Sequence, residues 1–447
     1  MNVLEIKNNK GLDIPIKGIA AKRQVDLMES LQEVAIVPAD FFGSLLKPVV
    51  KPGEHVSAGQ VVMFDKKNEH VKFVAPVSGV VKEIRRGAKR KILAYVVERK
   101  GDERKHFEIK HSNNADEIKH LLIEAGLWVT LRQRPFGLVA NPADTPDAVY
   151  ITAADTAPLA PDYAFMLESE KEHFAKGIEV LSELAPVKII APKDQKDFFA
   201  SFEAEELVLV SGKHPVGNLS YVLQKLNPIN KTNKVWYINP WHVVFIGRLF
   251  HRGYVDLTKS IALTGPGVTT PEYFKVISGV SVATVTQGRI DESKEMRLIS
   301  GNVLTGFNAG ADGFLGFYDD MITVLPEGRY FEFMGWAKPG LKKYSPSGMF
   351  FSKLLHSKRK RYVFDTNMHG GVRPFVIPGV SEKYVILDIY PAHLLKAILV
   401  NDIDLMEQLG IYEVMPEDFA LMEYACVSKI NIQDIVKKGI ETIIKES

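Results

Sequence analysis

The stretch that most limits how this chain can fold is KPGEHVSAGQVV, residues 51–62, running into FDKKNEHVKFVAPVSGVVKEI, residues 64–84. Glycines punctuate short extended runs, and the stretch closes with Ala75-Pro76-x-x-Gly79-x-Val81. Between them a hairpin carries Asp65-Lys66-Lys67. Side chains alternate faces along a strand, so a slip of one residue turns a side chain to the opposite face. The hairpin is short and is expected to turn near Lys67, Asn68 and Glu69. Lys66 then falls short of the tip.

The pattern resembles that of lipoyl and biotinyl carrier domains, in which one lysine at a hairpin tip is acylated. A lysine displaced from the tip is not presented to a ligase in the same pose. An unmodified barrel sandwich with a polar turn is therefore the expectation, because folds are reused more often than their chemistry. A lipoylated or biotinylated Lys66 or Lys67 is the alternative.

At 447 residues the chain is long enough for about three domains. Its 56 basic and 54 acidic residues nearly cancel, so no global field drives it to nucleic acid. The single cysteine, Cys426, excludes a disulfide framework, a four-cysteine zinc site and an all-cysteine iron–sulfur cluster held by this chain alone. The N-terminus MNVLEIKNNKGLDIP has no apolar core, so no signal peptide is expected. The most apolar window, VWYINPWHVVFIGRLF at 235–250, is broken by Asn239, Pro240, His242 and Arg248. It is too short and too polar for a membrane span, and a soluble protein is expected.

Residues 1–101 read as an N-terminal arm, with a strand-like run at 33–39, followed by the barrel sandwich. From 102 to 255 the texture is that of a Rossmann-like parallel α/β domain. DEIKHLLIEAGLW, at 116–128, has helical spacing of Ile118, Leu121, Leu122 and Leu127. Extended apolar runs at 148–154, 186–192 and 207–215 alternate with helical patterns such as 161–184. A mostly β domain with Gly-Pro punctuation spans 256–330. The remainder, 331–447, is a connecting segment and a helical domain. Pro391 stands at a first-turn position, and Asn431 is a cap for an amphipathic helix to Glu446.

Phosphate binding at a helix start needs clustered backbone N–H groups after a strand. The candidate loop, Arg132 to Ala148, has one glycine and three prolines, and proline removes a donor. The glycines of 211–218 have the wrong spacing, and those of 307–317 fall in the β domain. Such strings are equally turns and close packing. His120, His214, His242 and His393 are scattered singly, without metal-ligand spacing, and read as surface or satisfied core residues. There is no Gly-x-Ser-x-Gly elbow. The basic run Ser352–Tyr362 suits acidic head groups, an acidic partner or a plain solvated turn. The aromatic run 235–250 reads as core or as the lining of an apolar cleft.

The order of GLDIPIKG, VAPVSGVV, LRQRPFGLVANPADTPDAVYITAADTAPLAPD, VWYINPWHVVFIGRLF, IALTGPGV, RLISGNVLTG, GWAKPG, TNMHGGVRPFVIPGV and PEDFALMEYACVSKI along nearly the whole chain resembles one family. That family is NqrA of the sodium-translocating NADH:quinone reductase, related to RnfC of the Rnf complex and to the flavin subunit of complex I. The resemblance implies a β-grasp (SLBB-like) domain at 256–330. It also implies a peripheral subunit on the cytoplasmic face of the bacterial inner membrane. Its partners would be the other subunits of a complex that oxidises NADH, reduces ubiquinone or menaquinone, and exports Na+. FAD, FMN, riboflavin and Fe–S centres would then sit in other subunits, and the isolated chain would not be catalytic. The relatives' Gly-Gly-x-Gly-Phe-Pro loop is replaced here by RPFGLVANPADTP, and their Cys-x-x-Cys-x-x-Cys by Cys426 alone. Both departures imply a scaffold without bound flavin, NADH or metal. If the chain meets quinone, the expected lining is Arg132, Arg134 and Phe136. Arg132 or Arg134 would donate to a quinone carbonyl and the ring of Phe136 would stack; the alternatives are that the arginines pair with acidic residues of a neighbouring subunit or are plain surface charges.

Overall fold

A computed structural model describes residues 1–109, 114–335, 338–354, 360–376, 379 and 381–446. Parts of the basic run at 352–362 and of two family-like stretches, GWAKPG and TNMHGGVRPFVIPGV, lie outside the described residues.

The glycine-marked region forms two antiparallel sheets of four and three strands. Val56, Val62, Phe73, Val81, Tyr95 and Val97 are buried together between them. The hairpin joins Val61–Asp65 to Asn68–Val74. Asp65 pairs with Asn68, so the two-residue tip is Lys66-Lys67 itself. This corrects the expected turn at 67–69. The reason is a register jump: Phe64 pairs with Lys72 and Asp65 with Asn68, so the return strand carries the extra residues. Asp65 is buried, and its carboxylate accepts from the backbone N–H of Leu45 and of Lys67 at 2.9 and 3.0 Å. Lys67 Nζ donates to the carbonyl of Gly43 at 2.7 Å, while Lys66 is exposed.

A seven-stranded sheet organises the middle of the chain. Val149–Thr152, Val187–Pro192, Glu206–Gly212 and Val235–Ile238 lie parallel, in chain order third, second, first, fourth across the sheet. The hairpin Arg132–Arg134/Leu138–Val139 adds an antiparallel edge beside Val235–Ile238. At the opposite edge stands Asn2–Asn8, parallel to Glu206–Gly212. The first residues therefore enter the α/β sheet, and Ala21–Asp26 joins a fourth sheet beside Glu272–Ile277.

Alternation sorts the strand residues onto two faces. Val149, Ile151, Ile189, Leu207, Trp236 and Ile238 face one core, which includes helices Lys171–Ser182 and Pro240–Arg252. Tyr150, Ile190, Val208, Val210, Val235 and Tyr237 face the other. Helix Leu219–Leu226 covers that second face together with the C-terminal helices Pro391–Leu399, Ala420–Ala425 and Ile432–Glu446. The fourth sheet has six strands, with Thr258–Thr264 parallel to Met321–Pro326 and antiparallel to Glu272–Ile277. Among the described residues no helix is long and apolar enough to cross a membrane.

Candidate functional site

In an open α/β sheet a ligand sits beyond the carboxyl ends of the strands where the strand order reverses. Here that point lies between Val149–Thr152 and Val235–Ile238. Beyond Ile238, Asn239 caps helix Pro240–Arg252, its side-chain oxygen accepting from Trp241 N–H at 2.8 Å, and Pro240 starts the first turn. The Asn239 amide donates to Asp320 Oδ2 at 2.6 Å and to Tyr163 OH at 3.1 Å. Tyr163 OH donates to the same carboxylate oxygen at 2.8 Å. Lys259 Nζ, fully buried, reaches Asp320 Oδ1 at 3.0 Å and the carbonyl of Asp319 at 2.6 Å. Both charges of this ion pair are out of water, and the added hydrogen bonds offset part of that desolvation.

Asp320 directly precedes strand Met321–Pro326 of the fourth sheet, and residues just before it contact the switch point. His242 stacks on Phe317 with centroids 4.7 Å apart at 21°, and its Nε2 lies 3.3 Å from the Phe317 carbonyl. Tyr318 OH donates to the carbonyl of Val129 at 2.6 Å. Asp40, from the barrel-sandwich side, accepts from Phe317 N–H at 2.8 Å. At this point the chain's own Phe317, Tyr318 and Asp320 thus pack against His242, Val129 and Asn239. Burial sets the electrostatics of the knot. It pushes the Asp40 carboxyl up to about 7, with Asp319 nearby adding to the effect. It also holds the His242 imidazole well below its usual range, helped by Lys259 and Arg132.

Arg132 and Arg134 lie on the inner strand of the edge hairpin and Phe136 in its turn. Arg134 is only 1% exposed. Its guanidinium donates to Ser220 Oγ at 2.8 Å and to the carbonyl of Glu413 at 2.6 Å, strapping the C-terminal helical unit to the sheet. Arg132 is half-buried, with its guanidinium 4.5 Å from the Tyr237 ring and 4.2 Å from the Tyr318 ring. Its Nε is buried without a hydrogen-bond partner. Phe136 has φ 81°, an uncommon conformation for a bulky residue, and packs on Tyr412 at 5.6 Å. Arg132 thus meets the third domain, whereas Arg134 and Phe136 meet the C-terminal helices. The three do not converge on one open pocket.

A small apolar cavity of about 30 Å³ lies near the knot, lined among others by Phe41, Phe73, Val129, Leu257, Ser278 and Phe317. That is room for one or two waters. Among the described residues no group of three His, Cys, Asp or Glu could hold a metal ion. His120 and His393 are exposed, whereas His214 and His242 are buried, each with one ring nitrogen lacking a partner. Sequence reasoning missed the Asp320–Lys259–Asn239–Tyr163 knot. The available signals were Asn239-Pro240 directly after an apolar run and the acidic pair Asp319-Asp320 in a β-rich stretch.

Three family descriptions match the chain in order. They are an N-terminal barrel-sandwich hybrid domain at 6–100, a second alpha/beta domain at 113–255, and a C-terminal domain at 260–310, all of NqrA. Relatives are similar end to end. A chain of Yersinia pestis bv. Antiqua is 34% identical over 453 residues, covering 99% of this chain and 100% of that one. One of Alcanivorax borkumensis is 35% identical over 451 residues, with 99% and 100% covered. One of Rhodopirellula baltica is 33% identical over 447 residues, with 98% and 97% covered. Each bears the name of the NqrA subunit of the Na(+)-translocating NADH-quinone reductase. A solved NAD+-reducing [NiFe]-hydrogenase in the H2-reduced state is far more distant, at 10% identity and TM-score 0.36 over 68% of this chain and 55% of its own, and carries no argument. On this end-to-end similarity, the chain belongs to the NqrA family of Na+-translocating NADH–quinone reductase subunits.

Proposed function

We propose that this chain is a peripheral, non-spanning subunit of a Na+-translocating NADH–quinone reductase. In this reading it docks on the cytoplasmic face of the membrane part and carries none of the redox cofactors. The observation that carries the reading is the end-to-end similarity to chains named as the NqrA subunit of that reductase. Two features support the cofactor-free part. The loop at 132–148 lacks clustered N–H donors, and Phe317 and Asp320 pack on His242 and Asn239 at the switch point, where a dinucleotide would lie. Calorimetry on the isolated chain is expected to detect no NADH or flavin binding. Micromolar affinity for either would overturn this part.

A contribution to the quinone end enters the proposal through Arg132. Both Nε atoms are buried without a partner, but Arg134 already spends its two terminal nitrogens on Ser220 and Glu413, whereas the Arg132 guanidinium meets the Tyr237 and Tyr318 rings and has no hydrogen bond among the described residues. In the reconstituted complex, Arg132→Ala is expected to raise the quinone KM by about tenfold, the worth of one hydrogen bond to a carbonyl. Arg134→Ala is expected to leave KM unchanged and to loosen the C-terminal helices, seen as faster proteolysis there. An assembled Arg132→Ala complex with unchanged KM would end the quinone part and leave a docking subunit.

A further inference from the structure

Residues 328–364 behave unlike the rest of the surface. Phe331 is 90% exposed, Leu354 82% and Phe333 75%, with Leu341, Met349 and Phe351 each more than half exposed. Scattered single apolar residues on a surface need no explanation, but a cluster of large ones does. These residues belong to one locally folded unit. Glu332 accepts from both Lys338 and Lys343. Phe351 N–H donates to the Pro339 carbonyl at 2.9 Å. Lys360 Nζ donates to the Leu341 carbonyl at 3.2 Å, and the Asn367 amide to the Tyr330 carbonyl at 2.6 Å. Tyr362 roots the unit in the body. It is buried, bridges to Ile16, and stands 5.6 Å from the Tyr344 ring. The unit is therefore shaped, and its large apolar side chains point away from the core that holds it.

Charge indicates what covers it. The sequence from 328 to 364 carries nine Lys and Arg against one carboxylate, Glu332, while the whole chain has 56 against 54. The stretch is net +8 and the remainder of the chain net −6. Glu332 is already engaged by two lysines, and exposed Lys342 and Lys353 have no ion pair among the described residues. A complementary surface is apolar at its centre and acidic at its rim.

Backbone chemistry separates a protein from a lipid. Among the described residues of this stretch, the regular structure is the 3-10 turn Phe351–Lys353, 3-10 backbone at Gly335 and a β-bridge at Tyr362. Irregular backbone cannot enter hydrocarbon, where each unpaired N–H or C=O costs several kcal/mol. A protein partner can satisfy those groups with its own donors and acceptors. Exposed Phe and Met together with Arg are also the composition of a protein interface core.

We propose that the outward face of residues 330–335 and 338–354 is a protein-docking surface. Its occupant is an apolar surface rimmed with carboxylates on a membrane-embedded subunit of the same assembly. This rests on the reading of the chain as a subunit of that assembly.

The test exchanges the native chain in cells for a tagged Phe331→Asp/Leu354→Asp variant and, separately, for Lys342→Glu/Lys353→Glu. All four positions are exposed, so both variants are expected to keep the wild-type melting temperature. Partner recovery from detergent-solubilised membranes is expected to fall about tenfold or more for the apolar variant, as for loss of an interface hot spot. The charge variant is expected to lose partners at lower salt than wild type. Wild-type chain alone is expected not to float with phosphatidylethanolamine/phosphatidylglycerol vesicles. Full recovery of partners by both variants overturns the docking surface while leaving the subunit reading intact. Flotation of wild type that the apolar variant abolishes overturns it in favour of a lipid surface. Wild type recovering no partner at all overturns the subunit reading, and the docking surface with it.

Discussion

His214 illustrates how a single side chain gains meaning only in the fold. In sequence it is one of several isolated histidines beside a proline. In the structure it is 5% exposed, its Nδ1 lies 3.1 Å from Thr156 Oγ1, and burial lowers its pKa to about 4. The unfolded chain takes up a proton there near 6.5, and the folded protein does not until about 4. Stability from this residue is therefore lost as pH falls through that window, by about 2 kcal/mol between 6.5 and 5. Asp40 titrates the other way. Its folded pKa of about 7 exceeds the ordinary 3.8, so its protonation favours the folded state over the same range. The check is thus a difference. His214→Asn is expected to lose less stability than wild type between pH 7 and 5, measured by denaturant unfolding at each pH, and equal losses would show that His214 does not titrate as a buried group. Arg134 makes a similar point, since no pattern in RQRPFG announces that its guanidinium bonds Ser220 and Glu413, 86 and 279 residues away. Counting residues sets Lys66 one position short of the hairpin tip, because the unequal strands of the hairpin leave no mark in a count.

Among elements, the strands buried on both faces were the legible ones. The apolar runs at 148–154, 186–192 and 207–215 became Val149–Thr152, Val187–Pro192 and Glu206–Gly212, because such strands read as continuous apolar stretches. Asn2–Asn8 gives no comparable signal. All of its residues are exposed or half-buried at a sheet edge, so the hydrophobic pattern is weak, and its partner lies about two hundred residues away. Helices Lys171–Ser182 and Pro240–Arg252 depend on two glycines that look incidental in sequence. A Cβ on Gly177 would lie 2.1 Å from the Val243 carbonyl oxygen, and one on Gly247 would lie 1.8 Å from that of His173. In an open helix Gly→Ala stabilises by up to about 1 kcal/mol. Here the added methyl meets backbone, which cannot rotate aside, and overpacking of this kind costs about 1–3 kcal/mol. Gly247→Ala is accordingly expected to lower the thermal midpoint of the α/β unit, followed by tryptophan fluorescence of buried Trp236 and Trp241. A raised midpoint would mean that the two helices are not packed so closely.

Across the whole molecule, the units are tied together by long-range contacts. The N-terminal strand completes the α/β sheet, Ala21–Asp26 completes the fourth sheet, and Asp320, just before strand Met321–Pro326 of that sheet, is bonded into the switch point. The order of motifs along the sequence carried the family, while this interlocking was invisible because it joins residues far apart in the chain. On the proposed reading, the chain presents the outward apolar unit formed by the described residues of 330–354 to a partner and leaves dinucleotide binding to other subunits. The most direct measurement is purification of the tagged chain from native membranes in mild detergent, followed by assay of the eluate for NADH–quinone reductase activity with and without Na+. The account predicts that flavin-containing and hydrophobic subunits co-elute and that Na+ stimulates the activity. A chain recovered alone from the soluble fraction, with no reductase activity, would contradict it.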